Sequence, residues 1–182
     1  LAKALVKGGI TTLEITLRTE AALESITRIK AEVPEATVGA GTIINIETLN
    51  KAIAAGAEFI VSPGTTDAMI DAAIATGVPL LPGVANPSEA MRLLEKGITE
   101  MKFFPAEAAG GIPMLKSIGA PIPQITFCPT GGVSQKNVKD YYNLPNVACV
   151  GGSWMCAANL VDAENWDEIT RLSAEAIEIA TA

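Results

Sequence analysis

The sequence predicts an α/β fold in which parallel strands alternate with helices, and three observations lead to this prediction. Short β-branched or apolar runs alternate with longer Ala-, Glu- and Lys-rich stretches of helical period. Gly- and Pro-rich turns recur after the apolar runs. The connections from helix back to strand are minimal, as in Gly77-Val78-Pro79. These features favour a (β/α)8 TIM barrel over an open doubly wound sheet.

Each predicted strand is a short run rich in β-branched and apolar residues that ends at a turn. Each predicted helix follows a turn in which Gly or Pro bends the chain and Thr, Ser or Asn caps the helix. The strands, in order, are Thr12–Leu17, Thr37–Ala40, Glu58–Val61, Val78–Leu81, Glu100–Phe104, Gln124–Cys128 and Asn146–Val150. The helices are Glu20–Glu32, Ile46–Ala55, Asp67–Thr76, Ser88–Lys96, Gly111–Ile118, Gln135–Tyr142 and Asn165–Ala180.

The first residues do not supply the eighth strand that such a barrel needs. Residues 1–7 have the pattern of the end of a helix, with no strand before it and no initiator Met. We therefore expect a single domain over residues 1–182, a barrel truncated at its N-terminus and lacking its first strand.

Composition and charge exclude several classes of protein. The chain has 182 residues, of which 49% are hydrophobic and only 4% aromatic, so it is not disordered. A net charge of −7 predicts no nucleic-acid partner and no membrane partner. Three cysteines, odd in number and without a CxxC pair, predict buried thiols in a reducing cytoplasm.

The chain contains no histidine. Catalytic triads that need histidine and His-ligated zinc are therefore excluded, and we expect neither a metal nor a cofactor. Proton transfer in an enzyme of this composition has to use Glu, Asp, Lys, Tyr or bound water.

Two cations stand apart from the rest. Of the thirteen lysines and arginines, only Arg18 and Lys102 lie in or at the end of predicted strands. Alternation in the first strand places Glu14, Thr16 and Arg18 on one face, which we expect to be the barrel interior. The alternative is a buried Glu14–Arg18 pair whose charges only satisfy each other.

Lys102 has Met on one side and two Phe on the other. Apolar surroundings disfavour the ammonium form of a lysine, so its pKa falls and the free amine becomes a nucleophile. The alternative is a lysine that reaches out to solvent from a strand edge. A strand Lys, Glu and Arg together in a chain without histidine favour amine catalysis.

The last two predicted strands end in Gly-rich turns, Pro129–Ser134 and Gly151–Ser153. In barrels of this kind these turns frequently bind phosphate through backbone N–H groups. Tight turns with no ligand are the alternative. The two tyrosines, Tyr141 and Tyr142, are assigned to packing.

At these residues the sequence resembles the 2-keto-3-deoxy-6-phosphogluconate (KDPG) aldolase family, class I pyruvate aldolases on a (β/α)8 barrel that often also cleave 4-hydroxy-2-oxoglutarate (KHG). The segments that carry the resemblance span nearly the whole chain in the family's order: LEITLRT at 13–19, VGAGT at 38–42, SPG at 62–64, KFFPAE at 102–107, CPTGG at 128–132 and GGSW at 151–154.

The resemblance implies a role for each matching residue. Lys102 would form the Schiff base and Glu14 would be the general acid and base. Arg18 and Thr42 would bind the pyruvate-derived part of the substrate, with Thr130 nearby. The phosphate would be bound at Gly131, Gly132, Gly152 and Ser153.

The same resemblance implies a cytoplasmic homotrimer of the Entner–Doudoroff pathway that cleaves KDPG to pyruvate and glyceraldehyde 3-phosphate without a cofactor. Two other functions remain open from the sequence. One is the related 6-phosphogalactonate aldolase, which differs in stereochemistry at C4. The other is a barrel that binds a phosphorylated ligand without catalysis.

Overall fold

Parallel strands alternate with helices throughout the computed structural model, which describes residues 1–181. Ala182, the last residue of the predicted domain, lies outside the described residues. The strands are β1 Thr12–Thr16, β2 Thr37–Gly41, β3 Ile60–Val61, β4 Leu80–Leu81, β5 Gly83–Val84, β6 Glu100–Phe103 and β7 Thr126–Pro129. The helices are α1 Ala2–Lys7, α2 Ala22–Glu32, α3 Ile46–Ala54, α4 Asp67–Thr76, α5 Pro87–Glu95, α6 Gly111–Gly119, α7 Val138–Tyr142, α8 Ala158–Asp162 and α9 Trp166–Thr181, with a 3₁₀ turn at Trp154–Cys156.

The strands form two parallel sheets, in the orders β1-β2-β3-β4 and β5-β6-β7. Pro82 alone separates β4 from β5. A proline has no backbone N–H and so cannot donate to a ladder, but its carbonyl accepts the N–H of Lys102 at 2.8 Å. One stretch of chain thereby links the two sheets.

The apolar residues of a strand pack against the helices, so the residues between them lie on the other face of the sheet. Leu13 and Ile15 of β1 lie in apolar clusters with the surrounding helices. Because neighbours along a strand point to opposite faces, Glu14 lies on the other face of the sheet. Lys102 of β6 is in register with Cys128 of β7 and shares its face. The predicted alternation in the first strand is confirmed.

Residues 146–150, predicted as a strand, do not form one. Single parallel bridges join Phe127 to Val147 and Thr130 to Gly151. Between the two bridges, the segment from Val147 to Gly151 is one residue longer than the segment from Phe127 to Thr130. A regular ladder therefore cannot continue from one bridge to the other.

Three other differences are local. The helix predicted from Gln135 begins at Val138, because the Asn137 side chain accepts the Ser134 N–H at 2.8 Å and forms a turn there. The strand β5 and the short helix α8 were not predicted. Residues 2–7 do form a helix, α1, which packs against α9. No helix within residues 1–181 combines the length and apolarity of a membrane span.

Candidate active site

Lys102 and Glu14 come from the two different sheets and meet between them. The Nζ atom of Lys102 lies 3.4 Å from Oε1 of Glu14, and the lysine is only 7% exposed. No ion pair joins Glu14 to Arg18 among the described residues, so the alternative of a self-satisfied Glu14–Arg18 pair is wrong. A lysine buried to this extent does not reach out to solvent, which removes the other alternative as well.

The surroundings of the amine are mainly apolar. Lys102 lies on the central strand β6, between Gly83 of β5 and Cys128 of β7. The ring of Phe104 lies 5.3 Å from Nζ, measured to its centroid. A side chain at Gly83 would come within 2.2 Å of the Pro63 carbonyl oxygen, so glycine is needed for the strands to pack around the lysine.

The carboxylate of Glu14 lies against Gly41 on the neighbouring strand. A Cβ at position 41 would stand 1.9 Å from Oε1 of Glu14, a distance that real atoms do not adopt. Gly41 therefore leaves the space that the carboxylate occupies beside Lys102.

Arg18 and Thr42 follow the C-terminal ends of β1 and β2, which are held side by side by the bond from Leu17 N–H to the Gly41 carbonyl at 2.9 Å. The exposed Arg18 donates from Nε to the Thr16 hydroxyl at 3.2 Å. Thr42 has a φ of +63°, the left-handed region that a β-branched residue rarely adopts. Such backbone strain is concentrated at functional sites.

The first Gly-rich turn begins at Thr130, whose N–H donates to the Phe103 carbonyl at 3.0 Å. Gly131 and Gly132 follow with φ values of +99° and +80°, which favour glycine. A Cβ at Gly131 would lie 3.4 Å from the Phe104 ring, so the same ring contacts both this turn and the surroundings of Lys102.

The second Gly-rich turn lies beside the first, through the bridge between Thr130 and Gly151. The bridge is close: a Cβ at Gly151 would stand 2.3 Å from the Thr130 hydroxyl oxygen. A Cβ at Gly152 would stand 1.9 Å from the Trp154 ring. Ser153 and Gly152 are both exposed. The two turns thus form one surface with solvent-accessible backbone.

One polar pair at this end of the barrel was missed. The hydroxyl of buried Tyr141 donates to the carboxylate of Glu107, which follows β6. Burial, together with Glu107, raises the pKa of Tyr141, so the phenol keeps its proton. Sequence reasoning assigned Tyr141 to packing, since nothing local links it to a glutamate 34 positions earlier.

The three thiols are not all buried, which corrects the expectation from the sequence. Cys128 is buried, Cys149 is exposed and Cys156 is intermediate. The neighbouring thiol of Cys128 favours the thiolate form of Cys149 and lowers the pKa of Cys149 to about 7. The same interaction, with burial, raises the pKa of Cys128.

The arrangement suits amine chemistry. A buried amine lies beside a carboxylate, and the ring of Phe104 connects its surroundings to the first Gly-rich turn. Within residues 1–181 no group of three or more His, Cys, Asp or Glu side chains is placed to hold a metal ion.

Comparison with known proteins gives a consistent result. The family model for KDPG and KHG aldolases matches residues 1–172. A 2-dehydro-3-deoxy-phosphogluconate aldolase of Pseudoalteromonas atlantica is 52% identical over 177 residues, which cover 97% of this chain and 82% of that protein.

Two solved structures are similar along almost the whole chain. A KDPG aldolase from Legionella pneumophila, with pyruvate captured as a covalent carbinolamine intermediate, is 47% identical with a TM-score of 0.94, covering 96% of this chain and 85% of that one. The KDPG aldolase of Zymomonas mobilis ZM4 with 3-phosphoglycerate is 48% identical with a TM-score of 0.92, covering 96% and 82%. These similarities confirm the α/β class of the fold, with parallel strands.

Proposed function

Because this chain belongs to the KDPG and KHG aldolase family, we propose that Lys102 forms the Schiff base and that Glu14 is the general acid and base. The chain is a class I aldolase, a carbon–carbon lyase that cleaves KDPG to pyruvate and glyceraldehyde 3-phosphate. The observation that supports this assignment of residues is the approach of Lys102 Nζ to Glu14 Oε1 at 3.4 Å between the two sheets.

The reaction begins at the amine. Neutral Lys102 attacks the C2 ketone of the substrate, and the resulting carbinolamine loses water to give an iminium ion. The C3–C4 bond then breaks, and its electron pair moves to the positive nitrogen and forms an enamine. Protonation of the enamine at C3 and hydrolysis release pyruvate and restore the amine.

Glu14 moves the protons that these steps require. As a carboxylate it accepts the proton from the amine and, directly or through water, from the C4 hydroxyl during cleavage. As an acid it donates a proton to the leaving hydroxyl of the carbinolamine. A single group serves both roles because each half of the cycle restores its protonation state.

Binding is assigned to the two sides of the site. Arg18 and Thr42, at the ends of β1 and β2, bind the substrate carboxylate, for which a guanidinium offers charge-assisted donors. Thr130, at the start of the first Gly-rich turn, is assigned a place near the pyruvate-derived part of the substrate. Backbone N–H groups at Gly131, Gly132, Gly152 and Ser153 bind the phosphate, so a chain of net charge −7 needs no basic patch for it.

We further propose cleavage of KHG, a cytoplasmic role in the Entner–Doudoroff pathway and a homotrimer. An apolar surface supports the trimer: Ile44 is 63% exposed and Ile46 44%, beside a cleft lined by Ala68 and Met69. Sedimentation of the wild-type chain and of Ile44→Glu tests this proposal, with smaller particles expected for the variant.

Trapping with borohydride tests the catalytic assignment. Pyruvate followed by borohydride is expected to leave one reduced adduct per chain, mapped by peptide mass to Lys102. Lys102→Met abolishes the adduct. Lys96→Met, a control at an exposed lysine paired with Asp71, retains it. An adduct on another lysine, or none in folded wild-type protein, contradicts the proposal.

A comparison of related substrates tests the proposed substrate preference. Turnover is compared for KDPG, its 4-epimer and KHG, with KDPG expected to be cleaved most efficiently. A preference for the epimer would identify a 6-phosphogalactonate aldolase instead.

A further inference from the structure

We infer that Glu107 and Tyr141 form a brace that holds the Gly131-Gly132 turn in the shape that receives the substrate phosphate. The inference rests on the proposed function, because it takes this turn as the phosphate site. Neither residue touches the reacting atoms, so both are positioning residues.

Backbone bonds already join the two segments concerned. The N–H of Glu107 donates to the Gly131 carbonyl at 3.1 Å, and the N–H of Ala106 donates to the Thr130 carbonyl at 2.8 Å. The segment after β6 therefore runs alongside the turn after β7, and a shift of one displaces the other.

The side chain of Glu107 adds a second contact. A Cβ at Gly132 would stand 2.6 Å from Cγ of Glu107, so the methylene groups of the glutamate lie directly against this glycine. The carboxylate then accepts the hydroxyl of Tyr141. A buried phenol hydroxyl needs such a partner, which gives the bond a definite position.

Helix α7 thereby holds the turn at two points. At its start, the Asn137 side chain donates to the Gly132 carbonyl at 3.2 Å. One turn further on, Tyr141 holds the turn indirectly through Glu107. Loss of the second attachment leaves the turn held by Asn137 and by the backbone bonds, but the side chain of Glu107 is no longer fixed against it.

The condensation of pyruvate with glyceraldehyde 3-phosphate tests the inference, because only one of the two substrates carries a phosphate. In Tyr141→Phe we expect KM for glyceraldehyde 3-phosphate to rise about three- to tenfold and KM for pyruvate to stay within about twofold. Glu107→Gln keeps the accepting oxygen and is expected to behave like wild type. If Tyr141→Phe does not fold, Glu107→Ala removes the same hydrogen bond at an exposed position.

A matched control separates a local effect from general loosening. Thr170→Val removes another partly buried bond, from the Thr170 hydroxyl to the Ala4 carbonyl at 3.0 Å between α9 and α1. It is expected to change neither KM.

Two failures are distinguishable. A wild-type chain that forms no pyruvate adduct contradicts the proposed function. An active wild-type chain whose Tyr141→Phe and Glu107→Ala variants keep KM for glyceraldehyde 3-phosphate, or raise both KM values equally, overturns the brace.

Discussion

Glu14 and Lys102 are 88 positions apart in sequence, yet Oε1 of one lies 3.4 Å from Nζ of the other. The two side chains come from β1 and β6, which belong to different sheets. An amine that must both lose and regain protons is thus paired with a group able to exchange them.

Replacing the carboxylate of Glu14 by an amide tests its role in proton transfer. In Glu14→Gln we expect kcat to fall about 10²- to 10⁴-fold, because the amide cannot accept the proton of the C4 hydroxyl. Binding of pyruvate is expected to change little. Steady-state kinetics and pyruvate titration measure the two effects, and an unchanged kcat would reduce Glu14 to a structural partner of Lys102.

Gly41 tests whether the position of the carboxylate matters. In Gly41→Ala the new methyl group displaces the flexible end of Glu14, so we expect about a hundredfold loss of kcat with little loss of stability.

Gly39→Ala is the matched control on the same strand. There the methyl group meets the Phe59 ring, with a nearest approach of 2.4 Å. A bulky ring cannot move aside as easily, so stability falls and kcat is largely kept. Denaturant unfolding and kinetics together distinguish the pair, and equal losses of kcat in both variants would contradict this role for Gly41.

A substitution at Gly132 is expected to affect binding of the phosphorylated substrate alone. In Gly132→Ala the left-handed φ of +80° becomes strained and the methyl group collides with Glu107. We expect KM for glyceraldehyde 3-phosphate to rise about tenfold, together with a loss of about 1 kcal/mol in stability.

Gly97→Ala shares the strain without the collision, since its φ is +78° and nothing lies within 4 Å of the added atom. Its stability is expected to fall by a similar amount while KM is unchanged. A rise in KM in both variants would attribute the effect to general destabilisation.

The reactivity of the Cys149 thiol is expected to depend on pH. Alkylation by iodoacetamide is expected to rise through a midpoint at pH about 7, because the neighbouring Cys128 thiol favours the thiolate of Cys149. In Cys128→Ala the midpoint is expected to move up toward the ordinary thiol pKa of about 8.5. An identical midpoint in the variant would contradict this pairing.

The same shift affects stability in a defined direction. The unfolded chain binds the Cys149 proton more tightly than the folded one. The resulting stabilisation of the folded state is therefore present above the unfolded pKa and is lost as pH falls through about 7. Unfolding of wild type and Cys149→Ala between pH 7 and 8.5 measures it.

Local patterns along the chain predict much of this protein's organisation. Alternation in β1 placed Glu14 opposite Leu13 and Ile15, and the glycines after β7 and at Gly151–Gly152 marked the Gly-rich surface. These signals are local, because the faces of a strand and the conformation of a turn depend on a few consecutive residues. The motifs also carry the resemblance to the family, since each is a run of neighbouring residues.

Only the tertiary structure decided which distant groups meet. It paired Glu14 with Lys102 rather than with Arg18, exposed Cys149, and joined Tyr141 to Glu107. It also replaced the strand expected at 146–150 with two bridges whose spacing differs by one residue. Such outcomes depend on the relative position of neighbouring strands and helices, which no short window of sequence contains.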